Sequence, residues 1–336
     1  MGFLLRIWLV MTLIVVLAAC ASAPKGPLSL QAQLDHSTTI TLPLIETPSE
    51  LLLVKANLLN GHEGNFVVDT GATLTSIFPD MQTRLALMPN KTTSIRVHGM
   101  IAAQLQPLTE LPSLNLGGTE MGPLPVAVIP RIKEKAGREA RFLDKDYDGI
   151  IGMDVLSRYH LYIDKKAGFL KLIPQALSAP NMPNDWAIVE LTRNPFLEDG
   201  RKLHFFQLRL GNALTPALLD TGSQFNMMNW NTQRFPQLRA VKRKLRRNWE
   251  INGAIGTFKP VTKILSKNAR AGQKFWGDNE FLVLDFKSLD VLGIDGKPFV
   301  IAGIPMMKEV AVLIDFENDR LYFAPDGRTR NMVIIN

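Results

Sequence analysis

Short apolar runs separated by glycine, asparagine and proline dominate the chain, and the runs come in pairs. Leu51 to Leu59 and Leu203 to Leu210 are apolar-rich segments of strand length. Each closes on a turn pair, Asn60-Gly61 in one case and Gly211-Asn212 in the other, and leads into a second apolar run, Phe66-Val67-Val68 or Ala217-Leu218-Leu219. Further along, Tyr162–Asp164 and Phe169–Ile173 flank a Lys-Lys-Ala-Gly turn and predict a hairpin. An equivalent hairpin turns at Glu317-Asn318-Asp319. Helical patterning is confined to short stretches, Pro79 to Leu87 and Met153 to Tyr159. The pattern predicts an all-β protein with one or two short helices per half.

The pairing has a fixed period. Asp69-Thr70-Gly71 recurs as Asp220-Thr221-Gly222, an offset of 151 residues (220 − 69), and each triplet ends an apolar run. The same offset relates Ile150-Ile151-Gly152 to Ile301-Ala302-Gly303, and Tyr162-Ile163-Asp164 to Leu313-Ile314-Asp315. One constant offset over this span implies an internal duplication. The expected architecture is two similar lobes, 49–178 and 179–336.

Two copies of an aspartate, one per lobe, suggest a specific chemistry. Two carboxylates about 3 Å apart cannot both ionise easily, so they share a proton. The ionised one can then take a proton from water, while the protonated one donates a hydrogen bond to a carbonyl and stabilises a tetrahedral intermediate. The glycines that follow let the backbone turn sharply and approach the carboxylates. Thr70 and Thr221 can bond across the lobes. After the triplets the lobes differ, with Ala72 in one and Ser223 in the other. A Ser223 hydroxyl donated to Asp220 would favour its ionised form, so Asp69 is expected to hold the shared proton.

The residues 67–72 and 218–223, each apolar-apolar-Asp-Thr-Gly-Ala/Ser, together with the apolar-apolar-Gly elements at 150–152 and 301–303, resemble the pepsin/retropepsin clan of aspartic peptidases, in particular bacterial members with two retropepsin-like repeats. The resemblance covers nearly all of residues 50–326. It implies a bilobal fold of two β-barrel lobes with the active site at their interface, and Asp69 and Asp220 as the catalytic dyad. Thr70 and Thr221 are then the interlocking threonines, Gly71 and Gly222 the loop glycines, and Ser223 a further support. It implies no cofactor and no metal. Pepsin-like enzymes carry a tyrosine on a flap over the cleft, but the four tyrosines here (147, 159, 162 and 322) lie outside the expected flap near Arg96 to Met100. The flap tip is expected at His98-Gly99, with a second-lobe equivalent near Ile251-Asn252-Gly253. A peptide pairing beneath such a hairpin would be extended.

The N-terminus adds an address. Arg6 precedes an apolar stretch from Ile7 to Ala19, too short for a comfortable membrane span and of the length of a signal-peptide core. It runs into Leu17-Ala18-Ala19-Cys20, which resembles the lipobox of bacterial lipoproteins. Residues 1–19 are thus expected to be removed, Cys20 lipidated, and residues 20–48 to form a tether rich in Ala, Ser, Pro, Gln and Thr. Cys20 is the single cysteine, so a mature lipidated chain has neither disulfide nor free thiol. Ala21 in place of Asp directs the expectation to the outer membrane, facing the periplasm.

Charge changes little. The formal net charge is +7, or +6 without Arg6. The one dense cluster, Lys242-Arg243-Lys244-Leu245-Arg246-Arg247, reads as a solvated face or a contact with anionic headgroups or an acidic partner. No aromatic-interleaved basic motif points to nucleic acid. Asp144-Lys145-Asp146-Tyr147-Asp148-Gly149 opens like a calcium loop, but Val155 occupies the position that needs a bidentate Glu. Asp164 and Asp315 are expected as turn residues and Asp154 as a helix cap. The five histidines show no zinc-peptidase spacing.

The expected function is an aspartic endopeptidase tethered to the bacterial envelope, acting on extended protein or peptide substrates, with one chain sufficient for the site. A non-catalytic peptide-binding lipoprotein on the same fold is the alternative. It has no need to keep two carboxylates that are costly to bury together.

Overall fold

The paired apolar runs become paired strands in the computed structural model, which describes residues 29–48, 50–88, 93–99, 102–131, 147–177, 181–196, 202–234, 240–243, 251–252, 257–258 and 262–326. Leu53–Leu58 pairs antiparallel with Glu63–Val68, and Phe205–Leu210 with Ala213–Leu219. The turns between them place Asn60 (φ 57°), Gly61 (φ 74°) and Gly211 (φ 59°) in the left-handed region that asparagine and glycine tolerate best. Beside the first pair, Gly149–Ile151 runs parallel to Glu63–Val68, with Ile150 opposite Val67. Beside the second, Val300–Ala302 runs parallel to Ala213–Leu219, with Ile301 opposite Leu218. The 151-residue offset is thus reproduced between the triplet strands and their parallel neighbours, while the leading strands are offset by 152 (205 − 53), Leu53 facing Val67 and Phe205 facing Leu218. It holds again on the next strand, where Ser76 faces Ile150 and Met227 faces Ile301.

Further from the triplets the offset slips. Ser76 pairs with Ala127 and Met227 with Leu282, a separation of 155 (282 − 127). The second lobe therefore gains a net four residues between these strands and loses them again before Val300. It absorbs the change in one long hairpin, Thr262–Ala271 with Lys274–Val283, where the first lobe has the shorter strands Ala103–Leu111, Leu114–Leu116, Thr119–Glu120 and Leu124–Val128. Insertions accumulate in outlying hairpins and not in strands that carry the triplets. The fold is all-β and bilobal, with barrel-like sheets and few short helices.

The lobes meet in a six-stranded antiparallel sheet in the order Ile40–Pro43, Phe169–Pro174, Tyr159–Asp164, Val312–Asp315, Arg320–Phe323, Ala187–Glu190. At its centre Tyr162 faces Leu313, its own counterpart under the offset, while Leu161 faces Ile314 and Ile163 faces Val312. That register is self-complementary about a local two-fold axis, as in a symmetric dimer interface contained within one chain.

One expectation is corrected here. Residues 29–48 are not a tether. Ser29 caps the helix Leu30–Leu34 by accepting from the Ala32 N–H at 3.1 Å, and Ile40–Pro43 is the edge strand of the six-stranded sheet. The calls on residues 1–19, Cys20, Met100, Asp144–Asp146, Lys244–Arg247 and Gly253 lie outside the described residues. Among the described residues no helix is long and apolar enough to cross a membrane.

The second lobe carries a polar substitution in its core next to a triplet. In the first lobe the Val68 N–H donates to the carbonyl of Leu52; in the second, the Leu219 N–H donates to that of His204. The His204 side chain is buried, packs on Phe316 at 4.8 Å between ring centroids, and accepts from the Arg193 guanidinium through Nε2 at 2.9 Å. Burial, then the Arg193 charge, push its pKa from 6.5 down to about 3. The unfolded chain therefore binds the proton first. Relative to neutral pH, stability is lost as pH falls from 6.5 toward 3, at up to about 1.4 kcal/mol per pH unit. His204→Leu, which restores the residue type of the first lobe, is expected to move the acid-unfolding midpoint to lower pH. An unchanged midpoint in a circular-dichroism titration would refute this assignment.

Candidate active site

Each triplet follows the last residue of a buried strand, so its aspartate emerges where sheet pairing stops. The Asp69 N–H still donates to Ile151 O (3.1 Å) and the Asp220 N–H to Ala302 O (3.0 Å), fixing both backbones to the apolar-apolar-Gly strands. Beyond those strands, the Met153 N–H donates to Ala72 O (2.8 Å) and the Ile304 N–H to Ser223 O (2.9 Å), closing each loop from beneath. Gly152 and Gly303 explain why the element needs glycine. A Cβ on Gly152 would lie 2.7 Å from Leu74 C, and one on Gly303 would lie 2.5 Å from Phe225 O.

Between the lobes the threonines interlock. The Thr70 N–H donates to Thr221 Oγ1 (3.0 Å) and the Thr221 N–H to Thr70 Oγ1 (3.1 Å). The two hydroxyls in turn donate to main-chain carbonyls of the opposite lobe, Thr70 Oγ1 to Leu219 O (2.8 Å) and Thr221 Oγ1 to Val68 O (2.7 Å). All four bonds are buried, where losing one partner leaves the other unsatisfied at a cost of about 1–3 kcal/mol. The interlock brings the triplets face to face: a Cβ on Gly71 would sit 2.7 Å from Asp220 Cγ, and one on Gly222 would sit 2.3 Å from Asp69 Cγ. The geometry thus joins Asp69, Thr70, Gly71, Asp220, Thr221 and Gly222 in one constellation.

The two carboxylates are not equivalent. Asp69 Oδ1 accepts from the N–H groups of Gly71 (2.8 Å) and Ala72 (3.1 Å), whereas Asp220 Oδ1 accepts from that of Gly222 (2.9 Å). Burial raises the pKa of both. Asp220 is driven well above the usual carboxylate range, first by burial and then by the charge of Asp69; the backbone donors hold Asp69 back. The pair titrates as a unit and shares a single proton.

The expectation drawn from Ser223 loses its premise. Its hydroxyl donates to Phe225 O at 2.8 Å and not to the carboxylate, so Ser223 braces the loop. The asymmetry combines the interaction between the two carboxyls with main-chain donors, which the residue type at that position does not reveal. Ser223→Ala is accordingly expected to leave the apparent pKa values of a pH–rate profile unchanged. A shift of half a unit or more would restore the hydroxyl to the site.

The dyad is part-exposed on the floor of a cleft of about 590 Å³. Ile95 and Val97 of the hairpin Ser94–His98 and Ala103–Leu111 overhang it from the first lobe, in the segment expected as the flap, and His98 and Gly99 also line it. In the second lobe Ile251–Asn252 pairs with Thr257–Phe258 as a short two-stranded ribbon. Tyr147 also lines the cleft, its ring 5.4 Å from that of Phe78. It arrives from the segment before Gly149–Ile151, so a search for a tyrosine on the flap does not find it.

Behind the loops the lobes solve one problem differently. Gly152 N–H donates to Thr75 Oγ1, and Thr75 donates through its hydroxyl (2.8 Å) and N–H (2.9 Å) to Asp154 Oδ1. Asp154 thus clasps the triplet loop and does not cap its helix, whose N-cap is Gly152. In the second lobe Asn226, the counterpart of Thr75, accepts from Gly303 N–H (3.0 Å). Among the described residues one group has metal-ligand chemistry: His160, Asp315 and Glu317. Its acids approach different ring nitrogens, Asp315 at Nδ1 (3.0 Å) and Glu317 at Nε2 (3.7 Å). That arrangement holds an imidazole between two carboxylates. Asp315 also accepts from the N–H groups of Glu317 and Asn318, in the turn role expected for it.

The bilobal β fold with two interlocked Asp-Thr-Gly loops at the base of a cleft is the arrangement that the resemblance to aspartic peptidases implies. Residues 54–155 match the family model described as aspartyl protease, which supports a protease-like function. No curated protein matches the chain.

Proposed function

We propose that the protein is an aspartic endopeptidase in which Asp69 and Asp220 activate one water against a peptide bond, held at the bacterial envelope by a lipid on Cys20. The observation that carries the reading is the pairing of the carboxylates, each facing the other lobe's loop glycine across the threonine interlock. With one proton between them, Asp69 as the carboxylate takes a proton from water. Asp220 as the acid donates to the substrate carbonyl as the carbonyl becomes tetrahedral. The same acid–base pair then returns a proton to the leaving amine. Activity in this scheme falls at low pH when Asp69 gains a proton, and at high pH when Asp220 loses its own.

The cleft favours an extended polypeptide, because the hairpin above it offers main-chain partners and its lining is largely apolar, including Val67, Ile150, Leu218 and Ile301. One chain supplies both carboxylates, so no second copy is needed. The test is proteolysis of unfolded protein substrates across pH by the chain lacking residues 1–20. Cleavage that depends on both aspartates supports the reading. Tight peptide binding without cleavage at any pH supports the binding-module alternative.

A further inference from the structure

Alternate residues along the dyad strands divide the molecule into layers. Val67, Ile150, Leu218 and Ile301 face the cleft side. Their neighbours Val68, Ile151, Leu219 and Ala302 point the other way, into the large core that also takes Leu161, Ile163, Val312 and Ile314 from the inner face of the six-stranded sheet. The outer face of that sheet presents Tyr162, Ile173, Leu313 and Tyr322, and onto these pack Leu30 and Leu34 of the first helix. Since packed sheets lie about 10 Å apart, the first helix and the cleft sit on opposite sides of the molecule, separated by at least about 20 Å.

The chain enters this structure on the helix side. Ser29 caps the helix and bridges to Asn181, and the Leu30 N–H donates to Asn181 O. Between Ser29 and Cys20 lie only residues 21–28. Eight residues span at most about 28 Å even when fully extended. A folded unit of this size has a radius of gyration of about 19 Å, hence a diameter near 50 Å and a path of about 75 Å over its surface from the helix to the cleft mouth. The tether is less than half as long as that path.

We infer that the anchor at Cys20 holds the protein with the outer face of the six-stranded sheet toward the bilayer and the cleft opening away from it. This rests on the lipid attachment in the proposed function, not on catalysis. The substrates reached are then polypeptide segments that stand off the membrane, such as soluble chains or the distal parts of anchored proteins. Segments lying at the headgroups are out of reach.

The single cysteine makes the test clean, because a lipidated Cys20 leaves no other thiol to label. Full-length lipidated protein in vesicles of zwitterionic and anionic phospholipid is prepared as Ala32→Cys, on the exposed side of the first helix, or Leu105→Cys, 61% exposed on the flap hairpin. Each variant receives an environment-sensitive fluorophore, and quenching by headgroup spin-labelled lipid is measured. The expected result is at least several-fold stronger quenching at position 32, with the difference lost when about thirty Gly/Ser residues are inserted after residue 28. Equal quenching at both positions with the native tether, or stronger quenching at 105, overturns the orientation. A chain lacking residues 1–20 that still floats with vesicles overturns the anchor itself. Neither readout depends on peptidase activity, so a failure here is distinct from a failure of the catalytic reading.

Discussion

Asp69→Asn and Asp220→Asn are each expected to lower peptide hydrolysis by about 10³-fold or more without lowering the melting temperature at neutral pH. Both halves of the expectation follow from the same geometry. An amide in place of Asp69 cannot accept the proton of water, and an amide in place of Asp220 cannot act as a Brønsted acid, each a loss within the range ascribed to positioned acid–base groups. Stability moves differently. A carboxyl whose pKa is raised on folding, as both are, opposes folding at pH values above its unfolded value, most strongly for Asp220. Replacing it with a neutral isostere removes that opposition. Kinetics with an unfolded protein substrate and thermal melts read the two halves separately. Activity within tenfold of wild type in either variant would sink the dyad mechanism.

The second large effect concerns a residue with no functional group. Gly222→Ala is expected to reduce the rate by at least about 10²-fold, because its Cβ would fall 2.3 Å from Asp69 Cγ and 2.4 Å from its Oδ2. Something must move, and the nearest object is the carboxylate whose position the reaction requires. Gly71→Ala, with its nearest atom at 2.7 Å on Asp220, is expected to be harmful by the same route. Gly168→Ala is the useful contrast: its φ of 76° strains an added side chain, but the space around it is open and the dyad is remote, so it should cost stability and spare the rate constant. Equal effects of Gly222→Ala and Gly168→Ala on kcat would show that the close approach does not govern the site.

Much of this was legible in the sequence, for a definite reason. The duplicated triplets, the strands before them and the apolar-apolar-Gly elements contact one another directly, so an insertion in any of them would break the register; their 151-residue offset therefore survives in plain view. The flap region and the wall strands contact solvent on one side. They have slipped by four residues, and the sequence located the flap from its neighbours alone. Tyr147 escaped notice because nothing local marks it; the parallel strand after it carries it to the cleft. Asp154 looked like a cap because it begins a helix, yet its partner Thr75 is 79 residues away in the chain. Ser223 was misread because a hydroxyl beside a carboxylate has several acceptors in reach, and the sequence does not say which is nearest. The edge strand Ile40–Pro43 sits in a segment whose composition reads as linker. It is a strand because the six-stranded sheet offers Phe169–Pro174 as a template.

The self-complementary register at the centre of the six-stranded sheet has a consequence for how the cleft reads its ligand. A peptide has a direction, amino end to carboxyl end. A groove with true two-fold symmetry presents the same face to both directions and cannot prefer one. Here the symmetry is kept in the sheet and abandoned above it: Tyr147 on one wall and Phe225 on the other, Ser76 in one lobe where the other has Met227. Joining the halves in one chain allowed them to diverge without losing their fit, and the divergence gives the groove a polarity.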